Sequence, residues 1–593
     1  MPEYLAPGVF VEETSFRPKS IQGVATSTTA FVGPTRRGPI GMASDVITSF
    51  GEFERLYGGL GDLVWGGSTR AVNYMAHAVK AYFDNGGARL YVARTFSPRA
   101  IDGATTRAAN SAGAAVAGLS DPPTTVGTFR ARAPGAGGNG VVVAHQKAAP
   151  ASAATLNAAP LGALARTGTG AAATYFEKTS SGWRDAADAA LDLASLPAGT
   201  ALITLNLELL PGAANRRAPA EGGPIVLEGL GFGSAHPRAL ATVLPATPSS
   251  RSAALAQPYW FDQAGGTTAF QLREALFPAG EETVFALTGG DDGAEPLASS
   301  DDAEFAGYAA ALAALEEVWD VAIVAAPGHS ALASTTFQAV QGQLLSHAQR
   351  LGYRFAVLDT PPRQGVGDAR EVRGRISSTY GALYYPWVIV ANPGARPADE
   401  SIPKELALPP SGFMCGIYAR NDIERGVWKA PANEVVRGAL RFEREVSRGE
   451  QEVLNPEGIN CLRSFFGRGH RVWGARTVST DPEWIYVNVR RYFLYLGNSI
   501  DRSTQWAVFE PNGPMLWANI RDTITSFLFA EWKTGALLGA TPEAAFFVRC
   551  DRSTMTQADL DAGRLICEIG VAVVKPAEFV IFRIGQKTAS AQN

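Results

Sequence analysis

Residues Pro327–Leu332, PGHSAL, set a histidine directly before a serine and invite comparison with the sharp turn that presents a nucleophilic serine. That turn needs glycine two positions after the serine, because the backbone there closes against its neighbours. Here the position holds Leu332. A hydrolase is therefore not supported, and His329 reads as a turn residue capping the helix that follows. Gly168–Ala173, GTGAAA, meets the loosest form of a dinucleotide-binding glycine loop. Such a loop needs a strand before it and a helix after it, and an Ala/Gly-rich stretch produces this spacing by chance. No G-x-x-x-x-G-K-[ST] phosphate loop occurs.

The run LTGGDDGAE carries Asp291, Asp292 and Glu295. A calcium loop needs oxygens at alternate positions with a spaced bidentate glutamate, and this spacing differs, so a turn with solvated carboxylates is expected. The six histidines, His77 and His470 among them, never fall in a ligand-like pair. Arg468, Arg471 and Arg476 interleave with Trp473 in RGHRVWGAR, a pattern that nucleic-acid patches share. Asp481 and Glu483 follow closely, so ion pairing across an interface is the better reading. Neither catalysis, a cofactor nor a metal is indicated.

Composition agrees. With 593 residues, several domains are expected. Apolar content of 46% and charged content of 18% describe a folded protein. A formal net charge of −4 gives no overall nucleic-acid footprint. Cys415, Cys461, Cys550 and Cys567 are widely spaced and read as reduced thiols. The start, MPEYLAPGVFVEE, lacks the basic and apolar regions of a secretory signal, and no run of about 18 apolar residues is present. Synthesis in the cytoplasm and no membrane insertion are expected.

The elements behind these motifs alternate. Ser49 caps a short helix in SFGEFERLYGG. Val72, Met75, Ala76, Val79 and Phe83 space a second helix that ends at Gly86-Gly87, and ARLYVARTF follows as a strand. From Ala100 to about Pro278 the chain turns rich in Ala, Gly, Thr and Pro, with few large apolar residues. GVVVAHQ and TALITLNLELL alternate there like strands, so a β-rich insertion is expected. Alternation of helix and strand resumes in EFAGYAAALAALEEVWD, VAIVAAPG, STTFQAVQGQLLSHAQRLG and YRFAVLDTPP. From Ser411 a last region contains the longest helical pattern, with Leu516, Ile520, Ile524, Phe527, Leu528 and Trp532 on one stripe. The fold class expected is α/β and α+β, multidomain.

Both termini read as strands outside their domains. GVFVEE, with Val9, Phe10, Val11 and Glu12, hangs on a polar linker before the strand Thr29–Val32. Near the other end, Gly570–Val574 and Phe579–Ile584 read as strands split by Lys575–Glu578. Phe579 and Ile581 point to one side; Val580, Phe582 and Ile584 point to the other, with Arg583 between them. Such a strand wants cover on both faces, and only KTASAQN follows it. An extended segment can add to a neighbour's sheet edge, where main-chain hydrogen bonds supply affinity. A head-to-tail contact of this kind builds rings or helical filaments. The expected partner is another copy of the same chain.

These stretches, together with GDLVWGGSTRAVNYMAHAVKAYFDNGGARLYVAR, LTGGDDG, YYPWVIVANP, PPSGFMCGIYARNDIERGVWKAPANE and nearly everything from Asn455 to Gln586, resemble the contractile tail sheath family of myophages, R-type bacteriocins and extracellular contractile injection systems. The resemblance covers about the first hundred and the last three hundred residues. Between Ala100 and Pro278 it holds only in ARAPGAGGNGVVV. It implies a conserved inner sheath domain built from both chain ends, a β-rich inserted outer domain, and extended N- and C-terminal strand arms. It also implies hexameric rings of the chain stacked into a helical sheath, an inner tube protein as partner, and baseplate and terminal cap proteins at the ends. Contraction would drive the tube through a target envelope; a non-contractile filament or tube protein is the alternative. The particle would be a phage tail or a phage tail-like particle that can be released extracellularly.

On this reading residues 1–22 are an arm, 23–100 the first part of the core, 101–280 the insertion, 281–410 an α/β domain, 411–570 the inner domain and 571–593 the second arm. A sheath must grip and later release its tube, and weak exposed ion pairs suit that. Two charged helices are candidates: one with Arg521, Asp522, Glu531 and Lys533, and one starting at Ser553 or Thr556 with Asp559, Asp561 and Arg564.

Overall fold

The computed structural model describes residues 20–118, 124–396, 400 and 402–583. They form a mixed α/β structure with several sheets, divided into two compact units. The larger takes residues 26–424 and 431–487; the smaller takes residues up to 25, 425–430 and 488 onward.

Short apolar strands build the centre of the larger unit. β1 (Thr29–Pro34), β2 (Leu90–Thr95), β3 (Ile323–Ala325), β4 (Phe355–Asp359), β5 (Gly381–Tyr385), β6 (Ile459–Phe465) and β7 (Gly469–Val472) form one sheet in the order β7-β6-β5-β4-β3-β1-β2. Neighbours run parallel except β6 and β7. Parallel strands are covered on both faces and read as continuous apolar runs, and every residue of β3, β4 and β5 is buried. Helices α1 (Tyr74–Asp84) and α2 (Ser334–Leu351) pack against this sheet. The Asn73 side chain accepts the Ala76 N–H and starts α1 there, so Val72 lies before the helix and not on its stripe. The helix expected over EFAGYAAALAALEEVWD covers only Tyr308–Ala313. Buried Arg354 donates through Nη2 to the carbonyls of Leu315 and Val318, holding this backbone in turns.

Between β2 and β3 the chain leaves the central sheet and builds two others. Gly140–Pro150 pairs antiparallel with Ala201–Pro211 along its whole length, and Glu282–Leu287 lies on its other side. Gly113–Ala117, Thr125–Ala131 and Tyr259–Gln263 form the three-stranded partner. The composition suggested few large core residues here. The core is nonetheless well supplied, by alternate residues of the long strand (Leu205, Leu207, Leu209) and by Phe129, Tyr259 and Phe261. Pairing runs past residue 280 through Glu282–Leu287, and β6 and β7 carry the central sheet past residue 411.

Of the three carboxylates in the acidic turn only Glu295 is exposed, accepting the Ala333 N–H at 3.1 Å. Asp292 is buried, accepting the Ala136 N–H at 2.7 Å and the Val64 N–H at 2.9 Å. Burial raises its carboxyl above the usual range despite those two bonds and nearby Arg36 and Arg94. Asp291 pairs with Arg99 at 2.7 Å. Asn139 and Gly290 exchange hydrogen bonds of 2.8 and 3.1 Å. LTGGDDG and GAGGNG are therefore two halves of one clasp, where the chain enters and leaves the insertion. Gly135 in this clasp has φ +121°, and a Cβ there would meet the Arg36 carbonyl oxygen at 2.0 Å, so only glycine fits. His329 is also buried, its Nδ1 2.7 Å from the Ala326 carbonyl. The next helix starts after Ala333, so His329 secures its own turn and caps nothing beyond it.

Asp359 ends β4 and is fully buried. Its carboxylate accepts the Ser411 N–H at 2.7 Å and the Ser411 Oγ–H at 2.6 Å, at the start of α3 (Ser411–Arg425). Burial pushes this carboxyl up to about 7, against the lowering effect of both Ser411 bonds. A carboxyl raised in the folded state stabilises fully below its unfolded value of 3.8 and loses that contribution as pH rises through about 7. Asp359→Asn keeps an acceptor for the N–H and removes the proton. The expected outcome is a urea midpoint that falls less between pH 4 and 7.5 than in the natural chain, measured by tryptophan fluorescence.

Candidate assembly surface

The smaller unit is organised by two helices, α4 (Val487–Thr504) and α5 (Pro514–Lys533). Apolar residues of α5 recur at helical spacing, and Leu516, Trp517, Ile520, Ile524, Phe527 and Leu528 are buried. Trp532, expected on the same stripe, packs only partly. Tyr492 and Tyr495 of α4 donate to the two oxygens of Glu531 at 3.0 and 2.9 Å. Glu531 is thereby an internal acceptor and not part of a docking face. Residues 20–25 lie along α4: Ile21 joins the core, and Val24 donates its N–H to Ser499 Oγ at 3.1 Å.

A small antiparallel ladder follows. β8 (Phe546–Arg549) pairs with β9 (Glu568–Val571), and Leu537 bridges Val573 on the other side. Asn488 Nδ2 donates to the Val574 carbonyl at 3.2 Å, and the ladder ends there. The strand expected over Gly570–Val574 is thus present, shifted to begin at Glu568. The one expected over Phe579–Ile584 is not: Phe579–Arg583 have no ladder partner among the described residues. Phe579, Val580, Ile581 and Phe582 expose 74, 68, 77 and 83% of their surface, and Arg583 is exposed as well. An extended chain without an edge to pair with has nothing to hold it in a strand. Ile584 and Val9, Phe10, Val11 and Glu12 lie outside the described residues.

The charged candidates separate. Arg521 and Asp522 pair with each other at 3.2 Å on the outer side of α5. Lys533 lies about 18 Å further along that helix, its Nζ 4.5 Å from the Phe529 ring. The second helix, α6, is a single turn, Gln557–Asp561, and its cap is Thr556. Asp559 accepts from the Thr556 Oγ1 at 2.6 Å and N–H at 3.0 Å, and Arg564 lies 3.0 Å away. The Thr556 hydroxyl above all, then its N–H, holds this carboxyl below the usual range. Asp559 therefore holds its own turn together, whereas Asp561 only accepts from Gln557 at 2.7 Å.

Exposed aromatics are what the sequence reading missed. Phe509, between α4 and α5, is 102% exposed with φ +68°, a backbone conformation bulky residues avoid. Met515 and Phe529 are exposed on α5. The signal was available: VFEPNG places an aromatic against turn residues. In the larger unit, Phe466 is fully exposed at the tip of the β6–β7 hairpin. Beside it, Arg468 donates to Asn433 Oδ1 at 2.7 Å and lies 5.4 Å from the Trp473 ring. Arg471 donates to the Asn433 carbonyl at 2.7 Å, and Arg476 lies 5.9 Å from the Tyr486 ring. Within the chain, Arg468 and Arg471 are engaged by the Asn433 amide and backbone, and Arg468 and Arg476 by aromatic rings. Asp481 accepts the Glu483 N–H at 2.9 Å.

Two family models match consecutive stretches: the phage tail sheath protein central domain over residues 302–478 and the phage tail sheath C-terminal domain over residues 479–587. A prophage major tail sheath protein of Pseudomonas aeruginosa (strain UCBPP-PA14) is 25% identical over 268 residues, 44% of this chain and 64% of that protein. The aligned part thus falls just short of two thirds of that relative's length. A chain in the cryo-EM structure of the anti-feeding prophage baseplate is 34% identical, over 50% of this chain and 78% of that one, with a TM-score of 0.42. A chain of the anti-feeding prophage helical sheath in its contracted state aligns with 99% of this chain and 100% of its own length, at 21% identity and a TM-score of 0.52. The last likeness shows that the fold is shared over nearly the whole chain.

The contrast between the two α6 carboxylates is testable on the isolated chain. Asp559→Lys is expected to lower the melting temperature of the smaller unit, because the cap and the Arg564 pair are both lost. Asp561→Lys is expected to leave it unchanged. Differential scanning calorimetry of both variants checks this.

Proposed function

The chain belongs to the phage tail sheath family, and from that premise we propose that it is the subunit of a contractile sheath, polymerised helically around an inner tube. The observation that carries the reading is the run Phe579–Phe582: four large apolar side chains in succession, exposed, directly beyond the last rung of a ladder. Strand addition to a second copy would pair that backbone and cover both faces at once. Residues 20–25 lie along α4 in the same unit that releases 575–583. This supports an inner domain to which both chain ends contribute, with the arms expected at 1–22 and 571–593 shortened by the packing of Ile21 and of Val571–Val574 in their own unit. The clasp around Asp292 supports residues 101–280 as an outward insertion.

Tube contact is better assigned to the outer side of α5, with Arg521, Asp522 and Lys533, than to α6, because Asp559 is committed to its cap. Met515 and Phe529, seven residues before and after Asp522 on the same helix, add exposed apolar surface there. Contraction then draws on additional burial between copies, at about 25 cal/mol per Å² of apolar surface. Baseplate and cap proteins would bind the two ends of the sheath. A non-contractile filament is the second reading; negative-stain images after acid or urea separate the two, since only a contractile sheath yields a shorter, wider form.

The structure also moves the place where the arm should be cut. Val571 is partly buried against the core of its unit, and Val573 and Val574 are bonded within it, so removal from Val571 onward would damage the fold. Deletion of residues 576–593 is expected to leave the melting curve of the monomer unchanged and to abolish sheaths when the chain is co-expressed with its tube protein. Long sheaths from the truncated chain in electron micrographs would refute the strand-addition account.

A further inference from the structure

The β8–β9 ladder brings two of the four cysteines face to face. Its register pairs Phe546 with Val571, Val548 with Ile569 and Arg549 with Glu568. One step further sets Cys550 opposite Cys567. The Ala572 N–H donates to the Ala545 carbonyl at 2.8 Å, which fixes the alternation of the ladder. Pairs 545/572, 547/570 and 549/568 are hydrogen-bonded positions, so 550/567 is a non-hydrogen-bonded one. At such positions the Cα atoms sit about 4.5 Å apart and the side chains are closest, within the roughly 4.4–6.8 Å a disulfide spans. Both side chains lie on the core face, Cys550 buried and Cys567 partly exposed.

We propose that Cys550 and Cys567 form a redox-responsive pair that closes to a cross-strand disulfide and staples the hairpin from which residues 575–583 depart. Oxidised glutathione serves as the oxidant class. Cys567, the more accessible thiol, loses its proton and attacks one sulfur of the oxidant. A glutathione thiolate leaves and takes up that proton. Cys550 then loses its proton and attacks Cys567 Sγ, and the second glutathione leaves reduced. The chain gives up two electrons and two protons, and the oxidant gains both. Burial, with Cys550 alongside, pushes the Cys567 thiol up to about 12, so closure is slow at neutral pH and faster as pH rises. Cys415 is buried in α3, and Cys461 is buried in the central sheet opposite Tyr385.

The test uses the full-length chain with oxidised glutathione at pH about 8.5, followed by alkylation in denaturant, intact mass and peptide mapping. The expected result is a fall in free thiols from the four of the sequence to two, with a Cys550–Cys567 linked peptide, and return of all four on phosphine reduction. Cys550→Ala should stop at a glutathione adduct on Cys567, and Cys567→Ala should show neither adduct nor link. Four thiols retained in the natural chain, a persistent glutathione adduct without a link, or a link involving Cys415 or Cys461 would overturn the proposal. The natural chain alone decides, even where a variant fails to fold.

Discussion

A backbone segment that is apolar on both faces has two demands that a single rung of contacts cannot meet. Its N–H and C=O groups need partners, and both rows of side chains need cover. Phe579–Phe582 meets neither demand within the described residues of its own chain. Each large apolar side chain left in water forgoes about 1.5–3 kcal/mol relative to burial, so four in a row are a strong bias toward association. A strand borrowed by a neighbour satisfies both demands at one site, and its geometry is directional. It leaves one copy and enters the next, which extends a lattice instead of closing a dimer. The smaller unit makes sense as an anchor for this segment. Its helices bury a continuous stripe, its ladder ends one residue after the Leu537–Val573 bridge, and the Asn488 side chain holds the last anchored carbonyl.

The larger unit answers a different need. Its parallel sheet is covered on both faces, whereas the insertion lies in the chain between β2 and β3, the two neighbours of β1, and is joined to the core through the clasp, through Glu221 with Arg36 and Arg37, and through Arg251 with Ser44. The Asp292 and Asn139 side chains fasten the entering and leaving segments by accepting backbone N–H groups, and Gly135 permits the close approach of the Arg36 carbonyl. The insertion can change in size or sequence while those few groups keep its base in register.

Much of this was legible from sequence, and the reasons are local. Ser49 marks a helix start because its side chain accepts a backbone N–H within one turn. TALITLNLELL reads as a strand because period-two alternation is its packing pattern. What stayed hidden depends on partners distant in the chain. Asp292 looked solvated because its donors, Val64 and Ala136, are more than 150 residues away. Arg354 cut a helical pattern short from outside it. The α6 carboxylates looked alike until Thr556 and Arg564 were seen to occupy one of them. The Cys550–Cys567 approach follows from register, which spacing alone does not give.

The central claim is that residues 576–583 acquire their partner from another copy. Hydrogen–deuterium exchange on the free chain and on assembled sheath measures this at the backbone itself. The account predicts exchange within seconds for the amides of Phe579–Arg583 in the free chain and strong protection in the sheath, with α5 core amides protected in both. Rapid exchange of Phe579–Arg583 in both states would contradict it.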